Sequence, residues 1–254
     1  MADKNTVQSF DRGLNVLVAL NVRDGATLAE LAADTGLNRS IVYRLLETLC
    51  RSGYVRKDRR EGRYWLLASV RRLSDGFGDE AWIERLVLPR VRSLAQTFVW
   101  PVSFCTPSGT AMLVRATTDF ESPLTLSRFP VGTRVSMIVS AVGQAFLAAC
   151  ESVRRDAILE AVRGSSPDAA ERHALDRDNF LRRLAGVRRK GYALVGGQKQ
   201  RITGIAVPVH AKTGVVGALA LRFFTSALPA DVAVSRFAAG LAAAADEIRA
   251  GLSP

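Results

Sequence analysis

The sequence predicts two domains, an amino-terminal domain made mostly of helices and a larger α+β domain behind it. The chain has 254 residues, which suits a domain of about 80 residues followed by one of about 170. Helical spacing of apolar residues dominates the first part of the chain. Short apolar runs bounded by turn residues, which are typical of strands, begin at Val102. With 48% hydrophobic and 23% charged residues, each domain can bury a core.

The first two predicted helices precede Gly36. Leu14, Leu17 and Val18 have the i, i+3, i+4 spacing of one buried helix face. Thr27 and Glu30 match a capping box, in which each side chain accepts a hydrogen bond from the other residue's amide. A second helix is therefore predicted after Thr27. Its predicted buried face consists of Leu28, Leu31 and Ala32.

A third helix is predicted over residues 39–52. Gly36 can adopt the left-handed conformation that ends the preceding helix, and Asn38 is a good N-cap. The predicted inner face consists of Ile41, Leu45, Leu46 and Leu49. The outer face carries groups that can reach base edges and phosphates, namely Ser40, Tyr43, Arg44, Glu47 and Arg51. This face is typical of a recognition helix.

Two short strands are predicted after Gly53, over residues 54–58 and 63–66, around a polar turn at 59–62. A basic hairpin behind a recognition helix is typical of a winged helix-turn-helix, whose wing contacts phosphates or a narrow minor groove. The alternative is a helix pair used only for packing, with a solvated basic face. The order of helix pair, polar face and basic hairpin favours DNA binding. The predicted DNA-binding residues are Arg39, Ser40, Tyr43, Arg44, Arg51, Arg59, Arg60 and Arg63.

Charge indicates a polyanionic partner mainly at this hairpin and helix. The net charge is +11, but residues 1–80 hold 13 basic and 11 acidic side chains, so most of the excess lies in the second domain. Residues 39–63 alone carry eight basic side chains against three acidic ones. That stretch is the predicted basic patch.

The remaining chain is predicted to form a connecting helix and an α+β domain. Five apolar residues keep helical spacing after a cap at Asp79, with a bend at Pro89: Ile83, Leu86, Val87, Val91 and Leu94. Strands are predicted at 102–105, 111–115, 124–128, 202–209 and 215–224, and helices at 140–149, 153–162, 176–190 and 229–249. This pattern indicates an antiparallel sheet flanked by helices. The predicted domains are 1–68 (winged helix-turn-helix), 69–98 (linker or dimerisation helix) and 99–254.

Several motifs resemble the IclR family of bacterial regulators. The match covers LAELAADTGLNRSIVYRLLETL at 28–49, GYV at 53–55, IAVP at 205–208 and VGAL at 216–219. Leu67 and Ala68 depart from the pattern, because such regulators often carry glycine after the second wing strand. The resemblance implies a GAF-like effector-binding domain and an operator-binding regulator, which can act through RNA polymerase. A homo-dimer or tetramer is also expected physically, because one winged helix reads only a half-site.

A narrower resemblance concerns the effector. LETL at 46–49, VRRLSDGF at 70–77, DEAWI at 79–83 and VWP at 99–101 resemble the branch that controls breakdown of hydroxyphenylpropionate-type aromatic acids. This implies a small carboxylic acid, aromatic in class, as the effector.

The predicted effector site starts at Ser140, because free amides and the helix dipole favour an acid group at a helix start. In this hypothesis Ser140 and the amides of Ala141 and Val142 hold the acid, and Arg128 or Arg115 assists as a charge partner. The family's pocket positions map here and to residues 202–205. The resemblance therefore implies that the site is completed by Met137, Val139, Ile202, Gly204 and Ile205. The alternative is ordinary core packing for the apolar residues and a solvent-facing position for the arginines.

No catalytic machinery or cofactor is expected. His173 and His210 lack neighbours at metal-ligand spacing, and the glycines at 196, 197 and 214 lack the pattern of a phosphate loop. An enzyme fused to a DNA anchor is therefore disfavoured. A weakly specific architectural DNA-binding protein stays open as the alternative function.

Cysteine usage and hydropathy indicate a cytoplasmic protein with no membrane partner. Cys50, Cys105 and Cys150 are too few and too widely spaced for a disulfide framework. The first residues lack an apolar signal region, and no apolar run reaches the roughly 18 residues of a membrane span.

Overall fold

The computed structural model describes residues 7–23, 25–58, 60–73, 81–125, 127–165, 169–174, 177–196 and 201–252. Its contacts divide the chain into two compact units, Met1–Gly78 and Asp79–Pro254. Some predicted features lie outside the described residues: Arg59 of the wing, the Asp79 cap, Asp176, Gly197 and the side chain of His173.

The first unit has the predicted order of helices and hairpin strands. It consists of α1 (Gln8–Val22), β1 (Ala26–Thr27), α2 (Leu28–Thr35), α3 (Arg39–Arg51), β2 (Val55–Lys57) and β3 (Arg63–Leu66), followed by a 3-10 helix at Ala68–Leu73. The strands pair antiparallel in the order β1-β3-β2. The short strand β1 was not predicted, and it fixes the start of α2 against the hairpin.

Local signals fix the ends of α2 and the start of α3. The Glu30 carboxylate accepts a hydrogen bond from the Thr27 amide at 2.8 Å, and the Thr27 hydroxyl accepts from the Glu30 amide at 3.3 Å. This confirms the capping box. Gly36 ends α2 with φ of 67°, a left-handed conformation that a glycine adopts without steric cost. Asn38 is the N-cap of α3.

The predicted buried face of α1 was wrong for Leu14 and Val18, while Leu17 is partly buried against the core. Val16 and Leu20 are buried, whereas Leu14 and Val18 are 44% and 63% exposed. The helix carries apolar residues on more than one face, and α2 and α3 cover only the face that holds Val16. The centre of the inner face of α3 consists of Val42 and Leu46, which are both buried. The prediction included Leu46 but omitted Val42, and the other predicted leucines lie at the margins of the face.

The second unit is an α+β domain. A π-helical turn (Ile83–Val87) leads into α4 (Leu88–Phe98), with Pro89 in its first turn. The chain continues through β4 (Val102–Ser108), β5 (Ala111–Thr117), β6 (Arg134–Ser136), α5 (Ala141–Ala149), α6 (Ser152–Gly164), α7 (Ala169–Ala174), α8 (Arg177–Lys190), β7 (Ala193–Val195), β8 (Ile202–Ala211), β9 (Gly214–Phe224) and α9 (Ala230–Gly251). The described strands form one antiparallel sheet in the order β6-β5-β4-β9-β8-β7.

This sheet separates two hydrophobic cores. On one face, α5 and α8 pack with Phe146 and Phe180 into the first core. On the other face, the connecting helix α4 and the last helix α9 pack through Val91 and Phe237. No helix in the described part of the chain is long and apolar enough to cross a membrane.

One predicted strand was wrong. The described residues between 124 and 128 are not in a strand, although their apolar and polar residues alternate. The edge of β5 is occupied by β6, so this segment does not pair with β5. The short elements β6, β7 and α7 were not predicted, because each is too brief to show a period.

Candidate functional site

The first candidate surface is the outer face of α3. Arg39, Ser40, Tyr43, Arg44 and Arg51 are all exposed, as predicted from the helical spacing. Their exposure follows from the burial of Val42 and Leu46 on the opposite side. Together they present cations, a hydroxyl and a phenol on one exposed side of a helix, the set of groups that reads bases and phosphates.

The hairpin adds further cations beside α3. Arg60 is exposed at the turn, where the Asp58 carboxylate accepts from the amides of Arg60 (2.8 Å) and Glu61 (3.3 Å). These two hydrogen bonds hold the pKa of Asp58 below its usual value. The carboxylate therefore stabilises the turn that presents Arg60.

Lys57 connects the hairpin to α3, a role that the site prediction missed. Its ammonium lies 5.8 Å from the centre of the Tyr43 ring and 5.3 Å from that of Tyr64. Contact with Tyr64 raises the pKa of Lys57, so it stays cationic. The sequence contained a sign of this position, because alternation along β2 places Lys57 on the same strand face as the buried Val55.

Arg63 faces a different environment from the other predicted DNA-binding residues. Its guanidinium donates to the Gly25 carbonyl at 3.2 Å and lies 3.4 Å from the Glu30 carboxylate. The side chain is half-buried, and it ties β3 to the start of α2. Its placement supports a structural role more than a contact with DNA.

The second candidate site is a cavity of about 260 Å³ between α5 and the sheet of the second unit. Its walls are mostly apolar, with a few convergent polar groups, which is the usual composition of a small-molecule site. It is lined by Ser103, Cys105, Val114, Ser127, Phe129, Val135, Val139, Ser140, Ala141, Val142, Val195, Ile202, Gly204, Ala220 and Arg222.

The start of α5 forms one wall of the cavity. Ser140 is the N-cap: its hydroxyl accepts from the Gly143 amide at 3.1 Å and donates to the Ser136 carbonyl. The amides of Ala141 and Val142, in the first turn, have no partner within the helix. A Cβ at Gly143 would overlap the backbone of Met137, so glycine is what lets the helix start approach this closely.

Arg222 supplies the charge at this site, and the sequence prediction missed it. It lines the cavity and donates to the Ser127 carbonyl at 3.0 Å, while its other terminal nitrogen pairs with the buried Asp119 carboxylate. The signal was a single charged residue in the otherwise apolar strand β9. The partner could not be inferred, because Asp119 lies 103 positions away in the chain.

Six of the predicted effector residues line the cavity: Val139, Ser140, Ala141, Val142, Ile202 and Gly204. Ile205 belongs to the opposite core, since successive strand residues point to opposite faces. Met137 is fully buried in the core under α5. Arg128 stacks on Phe120 at 5.1 Å, and Arg115 donates to the Thr106 hydroxyl at 3.2 Å. These four side chains do not line the cavity, contrary to their predicted placement.

Cys105 lies in the cavity wall but is not poised for reaction. Burial raises the pKa of its thiol to about 12, so it stays protonated at neutral pH. Among the described residues, no group of three or more His, Cys, Asp or Glu side chains is placed to hold a metal ion.

Two domains of one protein family match the chain. The IclR helix-turn-helix domain matches residues 9–59, and the bacterial transcriptional regulator IclR C-terminal domain matches residues 83–250. The HTH-type transcriptional regulator BhcR of Paracoccus denitrificans (strain Pd 1222) is 24% identical over 255 residues, which cover 99% of this chain and 90% of that protein.

Solved structures share the fold. IclR of Thermotoga maritima has a TM-score of 0.69 at 15% identity, over 98% of this chain and 100% of that one. An IclR homolog from Microbacterium hydrocarbonoxydans, complexed with 4-hydroxybenzoate, has a TM-score of 0.62 at 21% identity, over 96% of this chain and 98% of that one. With the two family matches, which contain the α3 surface and the cavity, these findings show that this chain belongs to the IclR family of DNA-binding transcriptional regulators, which are not enzymes.

Proposed function

We propose that this regulator binds operator DNA through α3 and the hairpin, and that the cavity beside α5 binds a small carboxylic acid, aromatic in class. The acid changes operator binding or transcription of a catabolic operon. The alternative is an architectural protein that binds DNA with little sequence preference and no ligand.

The observation that carries this proposal is the composition of the cavity. Its apolar walls, including Val114, Val135 and Phe129, suit a ring or a short hydrocarbon chain. The amides of Ala141 and Val142, which have no partner within the helix, and the guanidinium of Arg222 suit an anionic group. A site with this combination favours an amphipathic acid over a sugar or a neutral hydrocarbon.

Support for the aromatic class comes from two directions. A structure of the same fold is a complex with 4-hydroxybenzoate, and motifs of this chain resemble regulators of aromatic-acid breakdown. Phe129 in the cavity wall adds an aromatic face against which a ring can pack.

Regulation requires only that the acid binds two arrangements of the protein with different affinity. A homo-dimer or tetramer acting in the cytoplasm would place two α3 helices on successive half-sites of an operator. Ligand binding would then change either operator affinity or the contact with RNA polymerase.

The test is fluorescence anisotropy with the purified protein, its own upstream intergenic DNA and a random duplex, each with and without a panel of aromatic and aliphatic acids. We expect selective binding to the upstream DNA, changed by at least one acid. Equal affinity for both duplexes with no response to any acid would support the architectural alternative instead.

A further inference from the structure

We propose that Arg222 reads a planar, singly charged carboxylate in the cavity, and that Asp119 is the positioning residue that holds Arg222 in the orientation to do so. This inference rests on the proposed function, because it concerns the same cavity. It adds the groups that decide which ligands bind: Arg222 favours carboxylates over neutral amides, and Asp119 reduces the advantage that a doubly charged phosphate would otherwise have.

The Asp119 carboxylate is fixed from both sides. Its side chain has no solvent exposure. One oxygen accepts from the Phe129 amide at 2.6 Å, and the other pairs with Arg222. With both oxygens engaged, Asp119 has one orientation, and it transmits that orientation to the guanidinium.

The guanidinium of Arg222 is held by three contacts in different directions. Besides Asp119, it donates to the Ser127 carbonyl and lies 4.4 Å from the centre of the Phe129 ring. Its side chain is 17% exposed. A guanidinium has five N–H donors, and the hydrogen bonds made within the described residues use two of them, so others are available to a ligand in the cavity.

Gly204 places Arg222 next to the start of α5. Gly204 on β8 pairs directly with Arg222 on β9, and paired residues point to the same face of a sheet. A Cβ on Gly204 would lie 3.3 Å from the Cβ of Ala141. The missing side chain therefore lets β8 lie close to the first turn of α5, and Gly204, Ala141 and Arg222 all line the cavity.

Asp119 also sets the charge that the cavity accepts. Its negative charge offsets that of Arg222, so the empty cavity does not hold an unpaired cation, which would be costly to bury. A monoanion gains the unused donors of Arg222 and the α5 amides. Asp119 repels a dianion twice as strongly as a monoanion, which reduces the advantage that the dianion would otherwise gain from its stronger attraction to Arg222.

The competing explanation is that the Arg222–Asp119 pair only fastens the segment between β5 and β6 to β9. In that case its loss would lower stability and would weaken all ligands alike. The two explanations therefore differ in ligand selectivity rather than in stability.

The test is calorimetric titration of the full chain with benzoate, 3-phenylpropionate, their neutral amides and phenyl phosphate. Four variants are compared with the wild type: R222K, D119N, the double variant D119N/R222M and R128M. R128M is the matched control, because Arg128 belongs to the same segment but does not line the cavity. The double variant leaves no unpaired buried charge, so it keeps the test valid where D119N is too unstable to fold.

We expect R222K to bind the acids roughly tenfold more weakly and D119N/R222M roughly 100-fold more weakly, because the bidentate fork is lost. The affinity for the neutral amide ligands should change by less than about threefold in every variant, and R128M should bind all the ligands as the wild type does. D119N should raise the affinity for phenyl phosphate relative to benzoate by about tenfold, since the repelling charge is gone.

The outcomes separate this inference from the proposed function. Acid binding that is equal in wild type, R222K and D119N/R222M overturns the role of Arg222 and leaves the acid-binding cavity intact. Parallel losses for acids and amides overturn it in favour of the fastening role. No binding of any acid to the wild type overturns the acid class itself, and the inference with it.

Discussion

The candidate DNA-binding surface and the cavity of the second unit are built in opposite ways. The candidate DNA-binding side chains, from Arg39 to Arg63, come from one helix and one hairpin close together in the chain. The cavity is lined by residues between Ser103 and Arg222, from six strands, the segment between β5 and β6, and one helix start. Variants on the exposed surface should therefore change binding without changing stability, whereas variants in the cavity wall should change both.

The largest expected effect tests the dependence of the cavity on close packing. Gly143→Ala places a Cβ against the Met137 backbone, so the helix start must move. We expect the free energy of unfolding to fall by about 3 kcal/mol, measured by urea denaturation, together with a loss of acid binding. Gly164→Ala is the control, because a Cβ at that helix residue meets no atom within 4 Å. Equal stability of the two variants would contradict the packing argument.

The second effect tests the independence of the DNA surface. Arg44→Ala should weaken operator binding by roughly 1 to 3 kcal/mol through loss of a contact to a base, measured by anisotropy. The side chain is exposed, so the melting temperature should not change. Arg44→Lys separates charge from geometry: it should restore affinity for random duplex but not for the operator. Full operator affinity in either variant would exclude Arg44 from base reading.

A third effect concerns the buried thiol in the cavity wall. The pKa of Cys105 is raised from 9.0 to about 12 by burial, so the folded state keeps a proton that the unfolded state loses. The contribution of the buried thiol to the free energy of unfolding is fully present below pH 9 and declines as the pH rises toward 12. Relative to pH 7, wild type should lose about 1 to 2 kcal/mol more than Cys105→Ala by pH 10. Parallel pH profiles in urea denaturation would show that the thiol is solvated.

The smallest effect concerns the hairpin. Arg60→Ala should reduce the salt dependence of DNA binding by about one unit in the log–log slope, because one phosphate contact is lost. Sequence preference should not change, and the cavity should bind acids as before. The measurement is anisotropy over a series of salt concentrations, and an unchanged slope would show that Arg60 does not contact phosphate.

The two regions also differ in how far the sequence could predict them. The capping box at Thr27, the left-handed Gly36 and the polar outer face of α3 each depend on residues within one or two helical turns. Local sequence patterns were therefore enough to predict them. Part of the buried face of α1 was mispredicted, because the spacing of apolar residues identifies apolar faces but does not show which of them the neighbouring helices cover. The segment at 124–128 alternates like a strand, yet the strand that pairs with the edge of β5 is β6.

The sequence by itself determined the winged helix, the order of most helices and strands, the α+β class of the second domain and the helix start at Ser140. Only the tertiary structure decided that Arg222, rather than Arg128 or Arg115, enters the cavity, and that Ile205 faces away from it. The physical reason is the range of the interactions. Caps and periodicity act between near neighbours, whereas the ion pair of Arg222 with Asp119 and the close approach of Gly204 to Ala141 depend on strand register and on the closure of long loops.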